Sequence, residues 1–133
     1  MKQIFADANG WIALNNKRDQ LHNTAVKINK DRLQIGHRYV TSNFVLDETY
    51  TGLLAKVGHF AAVDFGERIR SARTVQIIHI TEDIEEEAWK LFKQYSDKGF
   101  SFTDCTSFVV MRNLNLSEAF TNDQQVGFNI LLK

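Results

Sequence analysis

The sequence predicts an α/β fold, a three-layer α/β/α sandwich whose central sheet is mainly parallel. Three observations carry that expectation. β-Branched, strand-like segments alternate with helix-period segments from end to end. The 133 residues are 44% hydrophobic, enough to bury one core without disulfides. Proline is absent and the seven glycines are scattered, so no linker, low-complexity tract or repeat divides the chain. One domain spanning residues 1–133 is expected.

The first strand is Ile4-Phe5-Ala6, a short apolar run that meets Asp7-Ala8-Asn9-Gly10, read as a turn with Asp7 at the strand's carboxyl end. From Asp19 to about Gln34, Leu21, Ala25, Ile28 and Leu33 recur at near-helical spacing, with Asp19 as a cap and Gly36 as a stop. Arg38 to Thr41 reads as a strand. Ser42 or Asn43 then caps a helix that reaches Val57, where Gly58 interrupts it. From His59 to about Ala72, Phe60, Val63 and Phe65 alternate with charges, which predicts an amphipathic helix.

Val75 to Ile80 is β-branched and predicts a strand. Thr81 caps the next helix, whose first turn carries Glu82, Asp83 and Glu85 against the positive end of the helix dipole; its apolar face is Ile84, Ala88, Leu91, Phe92 and Tyr95. Gly99 ends it, and Ser101 or Thr103 caps a helix to about Asn113 with Asp104 in its first turn. The tail predicts a strand at Glu118 to Thr121, a turn at Asn122 to Gln125, and a last strand from Gly127 to Leu132.

Composition excludes several functional classes. With 16 basic and 16 acidic residues the net charge is zero, so no whole-molecule field draws the chain to a polyanion, and any such site must be local. Cys105 is the single cysteine, which rules out an intrachain disulfide and a cysteine-based zinc site. No apolar run approaches the ~20 residues that span a bilayer, and the N-terminus lacks a signal-peptide pattern. A soluble, cytoplasmic protein is expected. Asn115-Leu116-Ser117 matches a glycosylation sequon that has no meaning without secretion.

Ligands of parallel sheets bind beyond the carboxyl ends of the strands, and acidic residues stand at such places. Asp7 follows the first strand, Glu48 lies on the second long helix, Asp104 opens a late helix, and Asp123 follows the penultimate strand. Each alone is explained by capping or by a solvated surface; Asp7 is the exception, because capping alone poorly explains a carboxylate directly after a buried strand. If the fold gathers them, two carboxylates ~5 Å apart repel by roughly 3 kcal/mol at an effective dielectric of ~20. A hard divalent ion such as Mg²⁺ relieves that conflict and suits phosphodiester hydrolysis.

These residues resemble the PIN-domain family, especially the VapC-type toxins of bacterial toxin–antitoxin pairs. Phe5-Ala6-Asp7-Ala8-Asn9-Gly10-Trp11-Ile12-Ala13-Leu14 is similar to the family's opening motif, and Thr41-Ser42-Asn43-Phe44-Val45-Leu46-Asp47-Glu48-Thr49 to its second. Phe102-Thr103-Asp104-Cys105 and Ala119-Phe120-Thr121-Asn122-Asp123 resemble the third and fourth. The ordered set covers essentially the whole chain. The resemblance implies a metal-dependent endoribonuclease with Asp7, Glu48, Asp104 and Asp123 around Mg²⁺ or Mn²⁺, and with Asn9 and Thr121 as polar support. It further implies an RNA substrate, an antitoxin partner and a homodimer. Gln124-Gln125-Val126-Gly127 follows Asp123 directly, where the family continues with a few more residues; a displaced Asp123 and a more open site are both open consequences.

Asp47 and Glu48 are neighbours on a helix and point about 100° apart, so one of them faces the site; the motif selects Glu48. Cys105 precedes an apolar run and reads as a buried structural thiol. His22, His37, His59 and His79 have no ligand spacing, and Trp11 and Trp89 read as core or interface aromatics. Lys56, Arg68, Arg70, Arg73 and Arg112 are candidates for one side of a nucleic-acid path, against a plain solvated face. Apolar positions between Asn43 and Ala72 are candidates for a partner surface. The competing functional readings are a non-catalytic RNA- or partner-binding module on the same scaffold, and a phosphoacceptor domain, which lacks the lysine it needs at the end of a late strand.

Overall fold

A computed structural model describes residues 2–132. Met1 and Lys133, the ends of the expected domain, lie outside the described residues. The elements are β1 (Gln3–Ala6), α1 (Ala8–Asn15), α2 (His22–Gln34), β2 (Arg38–Ser42), α3 (Asn43–Lys56), α4 (His59–Ser71), β3 (Val75–Ile78), α5 (Glu82–Gln94), α6 (Phe102–Asn113), β4 (Glu118–Phe120) and β5 (Asn129–Ile130). The sheet runs β3-β2-β1-β4-β5, and every pairing is parallel.

Two short strands at the centre, β1 and β4, are buried over nearly their whole length. The chain leaves β1 toward β2 and β3, then returns across the sheet to β4. Right-handed crossovers therefore put α1 to α4 on one face and α5 with α6 on the other. The sheet order reverses between β1 and β4, and a parallel sheet opens a crevice at such a point. Asp7 Nα donates to Phe120 O at 3.3 Å, which ties the two carboxyl ends together there.

The expected turn after the first strand is instead α1. Ala8, Gly10, Trp11, Ile12 and Ala13 are all buried, so this short helix has no polar face from which a period could be read. Asp7 is its N-cap and accepts from Ala8 N at 2.9 Å. Capping is thus part of what Asp7 does, though not all of it, since one of its oxygens also joins an acidic cluster. Trp11 pins the helix to β2: its indole Nε1 donates to Thr41 Oγ1 at 3.2 Å, and that hydroxyl donates to Ala6 O at 2.9 Å.

Other boundaries move for local reasons. Asp19 does not cap α2, because its carboxylate accepts from Leu21 N in a preceding turn, and the helix starts at His22. Its Ala25 is buried, and Leu21, Ile28 and Leu33 pack on the core as expected. Ser42, not Asn43, caps α3; Asn43 Oδ1 accepts from Ile80 N instead, so β3 ends at Ile78. On α4 the buried face is Ala62, Phe65, Gly66 and Ile69, while Phe60 is 84% exposed, because it lies about 140° around the axis from Phe65. Ser101 caps α6 in a capping box with Asp104. The last strand shrinks to Asn129–Ile130, but Leu131 and Leu132 continue to donate backbone bonds to Ala119 and Thr121.

Ile84, Ala88 and Leu91 of α5 pack against Cys105 and Val109 of α6, together with Phe100 and Phe102. Cys105 is fully buried, and burial pushes its thiol up, away from a reactive thiolate. No helix among the described residues is long and apolar enough to cross a membrane.

Gly10 lets α1 lie directly on β4. A Cβ there would stand 2.1 Å from Phe120 O, a backbone atom that cannot rotate away. Gly10→Ala should lower stability by roughly 1–3 kcal/mol or more in urea denaturation, and an unchanged midpoint would contradict this close approach.

Candidate metal centre

Each acidic residue reaches the crevice by a different element. Asp7 comes from the junction of β1 and α1, Asp104 from the first turn of α6, Asp123 from the loop after β4, and Glu48 from the second turn of α3. One oxygen each of Asp7, Asp104 and Asp123 lies within 4.8 Å of the others. Glu48 stands outside that tight triad but lines the same pocket, of about 330 Å³, with Asn9, Ile12 and Ser101. Both Asp47 and Glu48 are exposed on α3, and of the two Glu48 lines the pocket.

Polar groups beside the triad fix its geometry. Thr121 Oγ1 lies 3.1 Å from Asp7 Oδ2 and 2.8 Å from Asn9 Oδ1, and accepts from Asp123 N at 3.1 Å. Its one proton is shared between the two acceptors. Asn9 Oδ1 also accepts from Asn122 N at 3.0 Å, and the Asn9 side chain hydrogen-bonds the Asp123 carboxylate. The two polar residues therefore anchor the loop that carries Asp123. That loop is short, yet Asp123 is not displaced; it is exposed, which leaves the site open on one side. Asp104 uses Oδ2 to accept from Ser101 N at 2.9 Å, leaving Oδ1 free of the capping box.

Electrostatics follow from burial and crowding. Burial raises the Asp7 carboxyl to about 6, opposed by the Ala8 hydrogen bond and reinforced by Asp104 and Asp123. Glu48 is raised to about 7, by burial first and then by Asp7, Asp104, Asp47 and Asp123. Asp123 is raised by burial and by Asp104. Among the described residues no lysine, arginine or histidine lines the pocket. Uncompensated hard oxygen donors of this kind fit a divalent cation such as Mg²⁺ or Mn²⁺ and match no soft metal.

Sequence reasoning missed Ser101 as a lining residue, having read it as a cap alone; its position three residues before Asp104 was the available signal. The arginines weighed as one side of a nucleic-acid path, against a solvated face, are not among the described residues that line the pocket. Arg68 pairs with Asp64 at 3.0 Å and donates to Asn15 Oδ1 at 2.8 Å, Arg112 pairs with Glu87 at 3.6 Å, and Arg70 lines a groove between α3 and α4. Trp11 is in the core, whereas Trp89 is half exposed. His22 Nδ1 is held by Ala13 O at 2.8 Å, and no histidine joins the acidic cluster.

A family model described as PIN domain matches residues 4–129. The 23S rRNA-specific endonuclease VapC20 of Mycobacterium tuberculosis is 38% identical over 120 residues, which cover 90% of this chain and 88% of that protein. A VapC ribonuclease of Archaeoglobus fulgidus is 38% identical over 82 residues, 61% of this chain and 51% of that protein. The crystal structure of VapC20, described as a sarcin-ricin loop cleaving toxin, superposes with a TM-score of 0.84 at 38% identity, over 90% of this chain and 89% of that one. VapBC2 from Rickettsia felis, bound to a DNA fragment from its promoter, superposes with a TM-score of 0.69 over 96% of each chain. At 15% identity it shows the fold alone.

Two outcomes follow from the charge crowding. The unfolded chain ionises Asp7 near 3.8 and the native protein near 6, so native stability falls as pH rises between those values and stays reduced above them. Asp7→Asn should therefore stabilise the metal-free protein by on the order of 2 kcal/mol at pH 8 and hardly at all at pH 4. Melting curves of both proteins at the two pH values check this. Mg²⁺ should raise the melting temperature of the native sequence more at pH 8 than at pH 5, since Asp7 and Glu48 must lose protons to bind it. Equal shifts at both pH values would exclude carboxylate ligation.

Proposed function

The chain belongs to the PIN-domain family, and from that premise we propose that it is a metal-dependent endoribonuclease, the toxin of a toxin–antitoxin pair. The observation that carries this reading is the convergence of Asp7, Asp104 and Asp123 within 4.8 Å in a pocket without a cation of its own. The likeness to VapC20 supports the activity and makes 23S rRNA the first substrate to test.

In this reading Asp7, Asp104 and Asp123 hold Mg²⁺ or Mn²⁺, and Glu48 completes the site from the facing helix. The bound ion would neutralise charge building on the scissile phosphate and lower the pKa of water. Glu48, outside the triad, offers the carboxylate that accepts a proton in this reading. Asn9 and Thr121 keep Asp123 and Asp7 at fixed separation, so the donor set is assembled before substrate arrives. No covalent intermediate is invoked, since Ser101, the hydroxyl residue among the described lining residues, is held as the α6 cap by Asp104 N at 3.0 Å and has no histidine beside it.

The partner assignments rest on the α3/α4 surface. Leu54, Val57, Phe60 and Val63 are exposed there, around a groove of about 370 Å³ lined by Tyr50, His59, Glu67 and Arg70. A homodimer contact and an antitoxin segment are the occupants the family likeness supports. The chain as a whole is taken as one cytoplasmic domain.

Cleavage of 23S rRNA, compared with a mixed RNA pool, should require Mg²⁺ or Mn²⁺ and stop in EDTA. Asp104→Asn should lower the rate at least about 10²-fold with the fold intact by circular dichroism. Cleavage that persists in EDTA would refute the metal-dependent reading. RNA binding without turnover would instead favour a non-catalytic module.

A further inference from the structure

The seam where α1 packs on α3 has the acidic pocket at one end and a separate recess of opposite sign at the other. On α1, Asn9, Ile12 and Asn16 recur at helical spacing along one face, the last at the C-cap. On α3, Glu48, Gly52 and Lys56 do the same. Gly52 lets the helices touch, because a Cβ there would stand 2.5 Å from Ile12 Cδ1. The near end of this track is lined by Asp7, Asn9, Ile12 and Glu48. Its far end is a recess of about 350 Å³ lined by Asn15, Asn16, Lys17, Arg18, Lys56 and Val57.

Among the described residues no acidic side chain lines that recess. Lys17, Arg18 and Lys56 make no salt bridge among the described residues, in contrast to Arg68 and Arg112. Helix-dipole compensation accounts for Lys56, which lies in the last turn of α3. It leaves unexplained why Lys17 and Arg18, beyond the end of α1, converge on the same concavity. From Glu48 to Lys56 the helical rise is about 12 Å, which spans on the order of three to four phosphates of a stacked strand.

We propose that Lys17, Arg18 and Lys56, with the side-chain amides of Asn15 and Asn16, form a subsite for a backbone phosphate of the RNA strand whose scissile bond lies at the acidic pocket. The inference rests on the ribonuclease reading and deepens it. The subsite is blind to base identity, since it offers charge and amide donors and no aromatic face. It supplies the local positive field that a chain of zero net charge otherwise lacks, and it does so at a distance that leaves the acidic pocket to the metal. A single strand laid across the α1/α3 seam is thereby held at two points.

The test compares the native protein with a Lys17→Ala/Arg18→Ala/Lys56→Ala variant, using a labelled ten-nucleotide single strand and a three-nucleotide one. The preference in kcat/KM for the longer RNA should fall at least about tenfold in the variant, and its affinity for the longer RNA should lose about one unit of salt slope. Restoring charge with Lys17→Arg and Lys56→Arg, Arg18 kept, should recover the preference. Equal losses on both lengths, or an unaltered length preference, would overturn the subsite. Binding by fluorescence anisotropy separates this from the parent reading. Should the native protein bind RNA without cleaving it, the length-dependent loss of binding upholds the subsite while the nuclease reading fails; should it cleave normally in the variant, the subsite fails alone.

Discussion

Everything in this molecule is arranged around carboxylates that repel one another and are nevertheless held together. Asp7 is the pivot. It is 4% exposed, caps α1, and sits where the sheet order reverses between β1 and β4. Burial already works against its charged form, and Asp104 and Asp123 add to that. The backbone bond between Asp7 and Phe120, the close pass of Gly10 over β4, and the Trp11–Thr41–Ala6 relay hold the pivot against this pressure. Strain of this kind is tolerated where the rest of the core is secure. Here Ile4, Phe5, Val40, Ala119 and Phe120 supply an apolar centre with almost no exposure.

Polar side chains beside that pivot convert it into a defined geometry. Thr121 contacts Asp7 and the backbone of Asp123 at once, and Asn9 bonds the Asn122 backbone and the Asp123 side chain. A loop that is short and partly exposed is thus positioned from the strand and helix beneath it. Because Asp104 spends Oδ2 on the capping box, the helix terminus fixes its rotamer beside Asp7 and Asp123. The same residue serves as a helix cap and as a wall of the acidic pocket, which is why a cap and a candidate site residue were hard to tell apart in one dimension.

Charge is segregated along the helices that leave the sheet. Acidic groups gather near the N-terminal ends of α1, α3 and α6, and cations gather past the C-terminal ends of α1 and α3. Net charge therefore says little about this protein, although it correctly directs attention to local fields. The polyanion path expected from Arg68, Arg70 and Arg73 is not built at the acidic pocket, since Arg68 is committed to Asp64 and Asn15 and Arg70 to the α3/α4 groove. Of the cations singled out by sequence, only Lys56 falls on the track from that pocket.

The sequence by itself determined the alternation of strands and helices, the parallel sheet, and most helix boundaries, because those follow from local periodicity and caps such as Ser42, Thr81 and Ser101. The spacing of Asp7, Glu48, Asp104 and Asp123 through motifs of a known family made the acidic constellation legible as well. It left α1 invisible, since a helix buried on all sides carries no amphipathic signal, and it misjudged the buried face of α4, where large exposed Phe60 looked like core. Only the tertiary structure decided that Asp7, Asp104 and Asp123 form the tight triad with Glu48 beside it, and that Lys17 and Arg18 meet Lys56. The physical reason is that side-chain convergence depends on crossover handedness and helix packing, which sum contributions over the whole chain, whereas propensity and capping act within a few residues.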